Sequence, residues 1–195
     1  MSIVDTYLTG LYQALPAQDL EQLKHSHGAS EADLSRLLAR YPQAPASLLE
    51  LLGRLDGTHF RKYPNGEVFV LVLGSDVFEY PYYLSSVEQI LEEAGQYNDS
   101  IADVYGDYVD EDPELLDPAI DGQLAMGERL CFSQCMNNGG TSRLYIDFNP
   151  AAGGSVGQVV RYLHDPDSYK VIAASFDDYL KQLVDQNYEF IFEDE

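Results

Sequence analysis

The chain has 195 residues, 45% of them hydrophobic, with 33 acidic residues against 11 basic ones and a formal net charge of −22. That length fits one large domain, and the apolar fraction is ordinary for a globular protein. The charge excludes nucleic acid, whose phosphates need clustered Lys and Arg, and an anionic membrane surface, leaving a basic partner or acidity that serves solubility.

The segment Met1 to Leu15 has no basic n-region and no uninterrupted apolar core, so it does not read as a signal peptide. No apolar run approaches the ~20 residues that span a bilayer. Ile3, Val4, Tyr7, Leu8, Leu11, Tyr12 and Leu15 instead fall on one helical face, ended by Pro16. Leu20 and Leu23 predict a short second helix to Lys24, followed by a polar break through His25, His27 and Gly28. Ser30 with Asp33 predicts an N-cap, opening a helix whose stripe is Leu34, Leu37, Leu38 and Tyr41. After Pro42 and Pro45 comes a Leu-rich helix with Leu48, Leu49, Leu51, Leu52 and Leu55 buried and Gly57 as its stop.

The period then changes. Asn65-Gly66 predicts a tight turn, and the apolar run Glu67 to Leu73 a central strand covered on both faces. Ser85 with Glu88 predicts a capped helix carrying Val87, Ile90, Leu91 and Ala94, ended by Gly95. From Glu128 the pattern is of strands: Arg129 to Cys135, a turn at 137–140, Arg143 to Phe148 in alternation, Gly157 to Leu163, and a short strand from Tyr169 to Ala173. Ser175 with Asp178 caps a closing helix with Phe176, Tyr179, Leu180, Leu183 and Val184 on one face. Helices first, an antiparallel meander and a last helix give an α+β class, with N-terminal helices, a central mainly antiparallel sheet and a C-terminal helix packed on it. The expected division is an N-terminal helical arm, 1–28, and a single domain, 29–195.

In this order the motifs resemble the SUKH superfamily, in its Smi–Knr type. The run P-A-S-L-L-E-L-L-G-R-L-D-G, Pro45 to Gly57, is similar to the family's helix that starts near a proline and ends in an Asn-Gly-like turn, with Asp56 standing for Asn. The run G-G-T-S-R-L-Y-I-D-F-N-P, Gly139 to Pro150, resembles its glycine turn and following strand, and Asp147 matches the strand aspartate. G-Q-V-V at 157–160 and A-S-F-D-D-Y-L at 174–180 resemble the next strand and the start of the last helix. The resemblance implies a binding role, as in fungal cell-wall assembly regulators and bacterial immunity proteins that neutralise a toxin. It implies no catalytic residues. Asp147 is expected to bond nearby backbone amides.

The acidity is regional. Between Lys62 and Arg129 there is no Lys, Arg or His but sixteen acids, so a third of the chain carries −16 of the −22. Within it Ile101, Val104, Tyr105 and Tyr108 share helical spacing, while Asp99, Asp103 and Asp107 stack at i, i+4 and i+8 on another face. Such pairs destabilise a helix by ~0.2–0.5 kcal/mol each. Asp110, Glu111, Asp112, Glu114 and Asp117 follow in a loop marked by Pro113 and Pro118. The residues Asp99, Asp103, Tyr105, Asp107, Tyr108, Asp110, Glu111, Asp112 and Glu114 are therefore the candidate partner-binding surface, facing a basic protein such as a nuclease-type toxin. The alternatives are a regulatory scaffold with solubilising acids and, less favoured, a hydrolase.

Other constellations argue against chemistry. Cys131 and Cys135, four apart on a strand, are too distant for a disulfide and read as free thiols in a reducing cytosol. Asp110, Asp112 and Glu114 alternate as a calcium loop requires, but Pro113 interrupts them. Gly153, Ser155 and Gly157 spell G-x-S-x-G, yet strands flank that serine where a nucleophile elbow needs strand then helix. No phosphate-binding loop and no metal spacing among His25, His27, His59 and His164 occurs, so an intracellular, non-enzymatic protein without cofactor or metal is expected.

Overall fold

A computed structural model of the chain describes residues 1–137 and 139–192. Side-chain caps set most of the helix starts. Ser2 opens α1 (Ile3–Ala14) with a reciprocal box, its hydroxyl accepting from the Asp5 amide and the Asp5 carboxylate from the Ser2 amide. Pro16 leads into α2 (Ala17–Leu23), Ser30 caps α3 (Glu31–Arg40), and Pro45 leads into α4 (Ala46–Leu52). The residues read as an N-terminal arm are packed: Val4, Tyr7, Leu8 and Leu11 of α1 lie in the main core.

Strands β1 (Arg61–Tyr63) and β2 (Gly66–Val68) make a small hairpin. A six-stranded antiparallel meander follows in chain order: β3 (Leu71–Leu73), β4 (Tyr82–Leu84), β5 (Leu130–Asn137), β6 (Gly140–Asp147), β7 (Gln158–Leu163) and β8 (Ser168–Ala173). Between β4 and β5 the chain forms α5 (Val87–Gln96), α6 (Ile101–Tyr105), α7 (Tyr108–Glu111) and a 3-10 turn at Met126–Glu128. It closes with α8 (Phe176–Asp185), capped by Ser175 as its spacing to Asp178 predicts. The α+β architecture is the one expected. The β5–β6 turn includes Asn138, which lies outside the described residues.

The sheet is buried on both faces. One side carries the main core, with Leu130, Phe132, Leu144, Ile146 and Val159 against α1, α4 and α8. The other carries a second core of Cys131, Tyr145, Val160 and Tyr169. Leu144, Ile146 and Tyr145 thus alternate between faces as the period of β6 predicts. A bulge between Cys131 and Ser133 inserts Phe132, which puts Cys131 in the second core and Cys135 in the first, although i, i+4 positions of a regular strand share a face. Both thiols are free and buried; burial drives Cys131 well above its ordinary value and Cys135 up to about 11, so neither is a ready thiolate.

Several expectations are corrected. The run 67–73 is not one central strand. It splits at Phe69 and Val70, whose amides leave the ladder for the Gln22 side chain and the Thr58 carbonyl, and β3 is an edge strand. The Leu-rich helix stops at Gly53, not Gly57. Gly57 has φ +88° and lies so close to Ser86 that a Cβ would meet its backbone nitrogen at 2.6 Å, so close approach explains this glycine. The cap of α5 is Ser86 with Gln89, one residue later than predicted, because the Ser85 amide is committed to the Phe132 carbonyl. Asp56 accepts from the first amide of α5, Val87, at 2.9 Å and from Arg61 at 2.9 Å; burial nevertheless raises its pKa. Tyr12 and Leu38 are exposed, not buried.

Candidate functional site

After α5 the acidic stretch leaves the sheet and returns to it as a closed lobe. The Gly127 amide donates to the Tyr97 carbonyl at 2.8 Å, Met126 to Asp99 at 3.0 Å and Ala102 to Gly122 at 2.9 Å, and Ser100 bridges Ala125. Ser100 caps α6: its amide and hydroxyl both donate to Asp103, which lowers that carboxyl's pKa. Gly106, at φ +55°, then breaks the helix before α7. The expected column Asp99, Asp103, Asp107 therefore does not form on one helix. Asp99 precedes the cap, Asp103 belongs to it, and Asp107 sits at the start of α7, which removes the i, i+4 repulsion.

The underside of the lobe is apolar. Ile101, Leu115, Ile120 and Met126 supply half of the second core, over Cys131, Tyr145, Val160 and Tyr169. Its strand-like piece extends the sheet by one parallel bridge: the Tyr169 amide donates to Leu115 at 2.7 Å and the Asp117 amide to Tyr169 at 2.9 Å. Those bonds cover part of the outer edge of β8.

Two features tie the lobe down, one fully and one partly buried. Arg129, fully buried, donates to the Asp121 carbonyl at 2.6 Å and the Leu124 carbonyl at 3.3 Å. Its Nε lies 3.6 Å from an oxygen of Asp147, equally buried, an ion contact too long for a hydrogen bond. Asp147 also accepts from the Asn149 amide at 3.1 Å, as expected, and from the Gln158 side chain at 3.2 Å. The Arg129 role is absent from the sequence reading. The signal is cross-strand register: Leu130 opposite Ile146 puts Arg129 opposite Asp147.

The second tie is a tyrosine latch. The Tyr105 hydroxyl donates to Asp167, which also accepts from Tyr162 at 3.2 Å, while Tyr162 stacks on Tyr169 at 4.7 Å. Partial burial alone would raise the pKa of Asp167, but the Tyr105 and Tyr162 hydroxyls, the Asp165 amide and His164 together hold it below its ordinary value. A depressed carboxyl stabilises the fold above its unfolded pKa, about 3.9, and loses that contribution as pH falls through the lower folded value. Tyr105→Phe is expected to cost about 1.5 kcal/mol at neutral pH. It should also flatten the acid limb of unfolding curves followed by near-ultraviolet circular dichroism; an acid limb identical to the parent's contradicts the latch.

The outer side of the lobe is polar and open. Asp99, Asp103, Asp107, Asp110, Glu111, Asp112 and Glu114 are all exposed, and Lys170 reaches Glu114 at 3.3 Å. Among them Val104 and Tyr108 are 63% and 67% exposed. Tyr108 accompanies the acids on the surface, whereas Tyr105 is half-buried in the latch. Tyr82 and Tyr83 lie away from the lobe on β4, next to the edge strand β3, with Tyr82 in the main core.

Chemistry finds little footing. Ser155 sits in the β6–β7 loop, its amide bonded to the Gln158 side chain, and β7 follows where an elbow needs a helix. Among the described residues, no group of three or more His, Cys, Asp or Glu is placed to hold a metal ion, and no helix is long and apolar enough to cross a membrane.

The meander is thus covered by helices on one face and by an acidic lobe on the other. The family model of the SMI1 / KNR4 family (SUKH-1) matches residues 28–182, and the chain belongs to that family. No curated protein matches the chain.

Proposed function

We propose that the chain is a non-enzymatic, intracellular protein-binding domain, an immunity protein that occludes a basic toxin, such as a nuclease, with the outer side of its lobe. The observation that carries this reading is the lobe itself. Seven exposed acids interleave in sequence with exposed Val104 and Tyr108 on a segment pinned to the sheet by Arg129 and by its own core. A surface held rigid before contact loses little entropy on binding. Apolar residues within a charged field fit an interface in which charge sets encounter and a few buried side chains set affinity.

The test is a pull-down from the source cell, followed by stopped-flow association with the recovered partner. The wild-type rate should fall steeply with salt. It should drop about tenfold or more when Asp103, Asp107, Asp110 and Asp112 become Asn and Glu111 becomes Gln. A rate indifferent to both changes overturns the acidic surface and favours a regulatory scaffold with solubilising acids.

A further inference from the structure

A second surface lies at the other edge of the sheet, beside β3, about 24 Å from the lobe edge at β8 by strand spacing. It is a groove of about 290 Å³ with walls that include Pro16, Phe69, Pro81, Tyr83 and Phe192. Its aromatic rim extends outward. Phe60 and Phe69, 53% and 48% exposed, stack in near-parallel planes with centroids 5.6 Å apart, and Phe60 lies 5.7 Å from Tyr83. Phe60 holds φ +48°, a left-handed conformation that is costly for a residue with a side chain. A strained backbone that displays an aromatic ring to water is a feature of binding surfaces.

The surroundings narrow the occupant. Strand addition to β3 is obstructed, because the Val72 and Gly74 carbonyls already accept from the Tyr7 and Tyr179 hydroxyls. A second copy would itself carry a net charge of −22 and approach against like charge. The polar groups of the lining are the Gln18 and Asp19 side chains and the Tyr83 hydroxyl, with no Lys or Arg among its described residues. What fits is a ligand that needs no backbone ladder, lays rigid apolar rings on aromatic and proline walls, and carries positive charge.

We infer that this groove docks an extended proline-rich segment bearing arginine or lysine, supplied by a partner protein. Polyproline conformation forms without internal hydrogen bonds and loses little entropy on binding, so a short groove can hold it. The groove shares no lining residue with the lobe, so the two surfaces can be tested by separate substitutions.

The experiment uses the full chain and short fluorescein-labelled peptides, read by fluorescence anisotropy. One peptide repeats proline-proline-arginine, a second repeats glycine-serine-arginine with equal charge, and a third is a basic amphipathic helix. The proline-arginine peptide should bind most tightly. Phe69→Ala and Asp19→Asn should each weaken it, Phe69→Ala about tenfold or more. The lobe variant with five neutralised acids should keep most of the affinity. Phe69 is half exposed, so its removal should leave the melting temperature near the parent value, which confirms an intact fold. Equal binding of the glycine-serine-arginine peptide, preference for the helical peptide, or indifference to Phe69→Ala overturns the proposal.

Discussion

Arg129→Met should lower the unfolding free energy by about 3–5 kcal/mol, with the lobe loosening before the sheet. The guanidinium is fully buried, and its removal leaves the Asp147 charge uncompensated in the interior. It also strips the donors from the Asp121 and Leu124 carbonyls at the base of the lobe. Amide exchange at Ala102 and Met126, whose bonds close that base, should rise more than exchange in β5 and β6. Adding Asp147→Leu should recover part of the loss, because no lone buried charge then remains. Urea melts of the single and double variants measure this, and parental stability in the single variant refutes the account.

Phe132→Ala should cost a similar ~3–5 kcal/mol through a different route. Phe132 is the extra residue of the β5 bulge, and its ring meets Phe176 edge-on at 5.3 Å and Tyr179 at 5.7 Å. Deleting the ring opens a cavity between β5 and α8, against Phe176 and Tyr179. Domains of this kind are stable by about 5–15 kcal/mol, so the loss is a large share. Chemical denaturation should show a lower midpoint at an unchanged slope. Exchange should rise across the sheet and α8 together, in contrast to the local loosening expected for Arg129→Met.

The elements most legible in the sequence were those specified by local chemistry. Ser30, Ser175 and the Asn65-Gly66 turn act through residues within a few positions, and the alternation of Leu144, Tyr145 and Ile146 reports two covered faces directly. What escaped depended on distant partners. The split at Phe69 follows from Gln22 and Thr58, which draw the backbone out of the ladder. The shift of the α5 cap from Ser85 to Ser86 follows from a bond to Phe132, 47 positions away in the chain. In the acidic stretch the helical spacing runs on past Gly106, whose positive φ ends α6. The Arg129–Asp147 contact depends on strand register, which composition does not carry, although Asp147 also stands at the family's strand aspartate.

The closed base of the lobe has a consequence for how such a domain can diversify. Its inward residues, Ile101, Leu115, Ile120 and Met126, answer to the sheet, and Asp103 to the cap of α6, while Val104, Tyr108, Asp107, Asp110 and Glu111 face solvent and whatever meets them. The two sets interleave along one short stretch of chain yet carry separate obligations. In the binding role we propose, substitutions on the outside would readdress the molecule to a different partner without renegotiating the fold, as a fixed handle takes a new label.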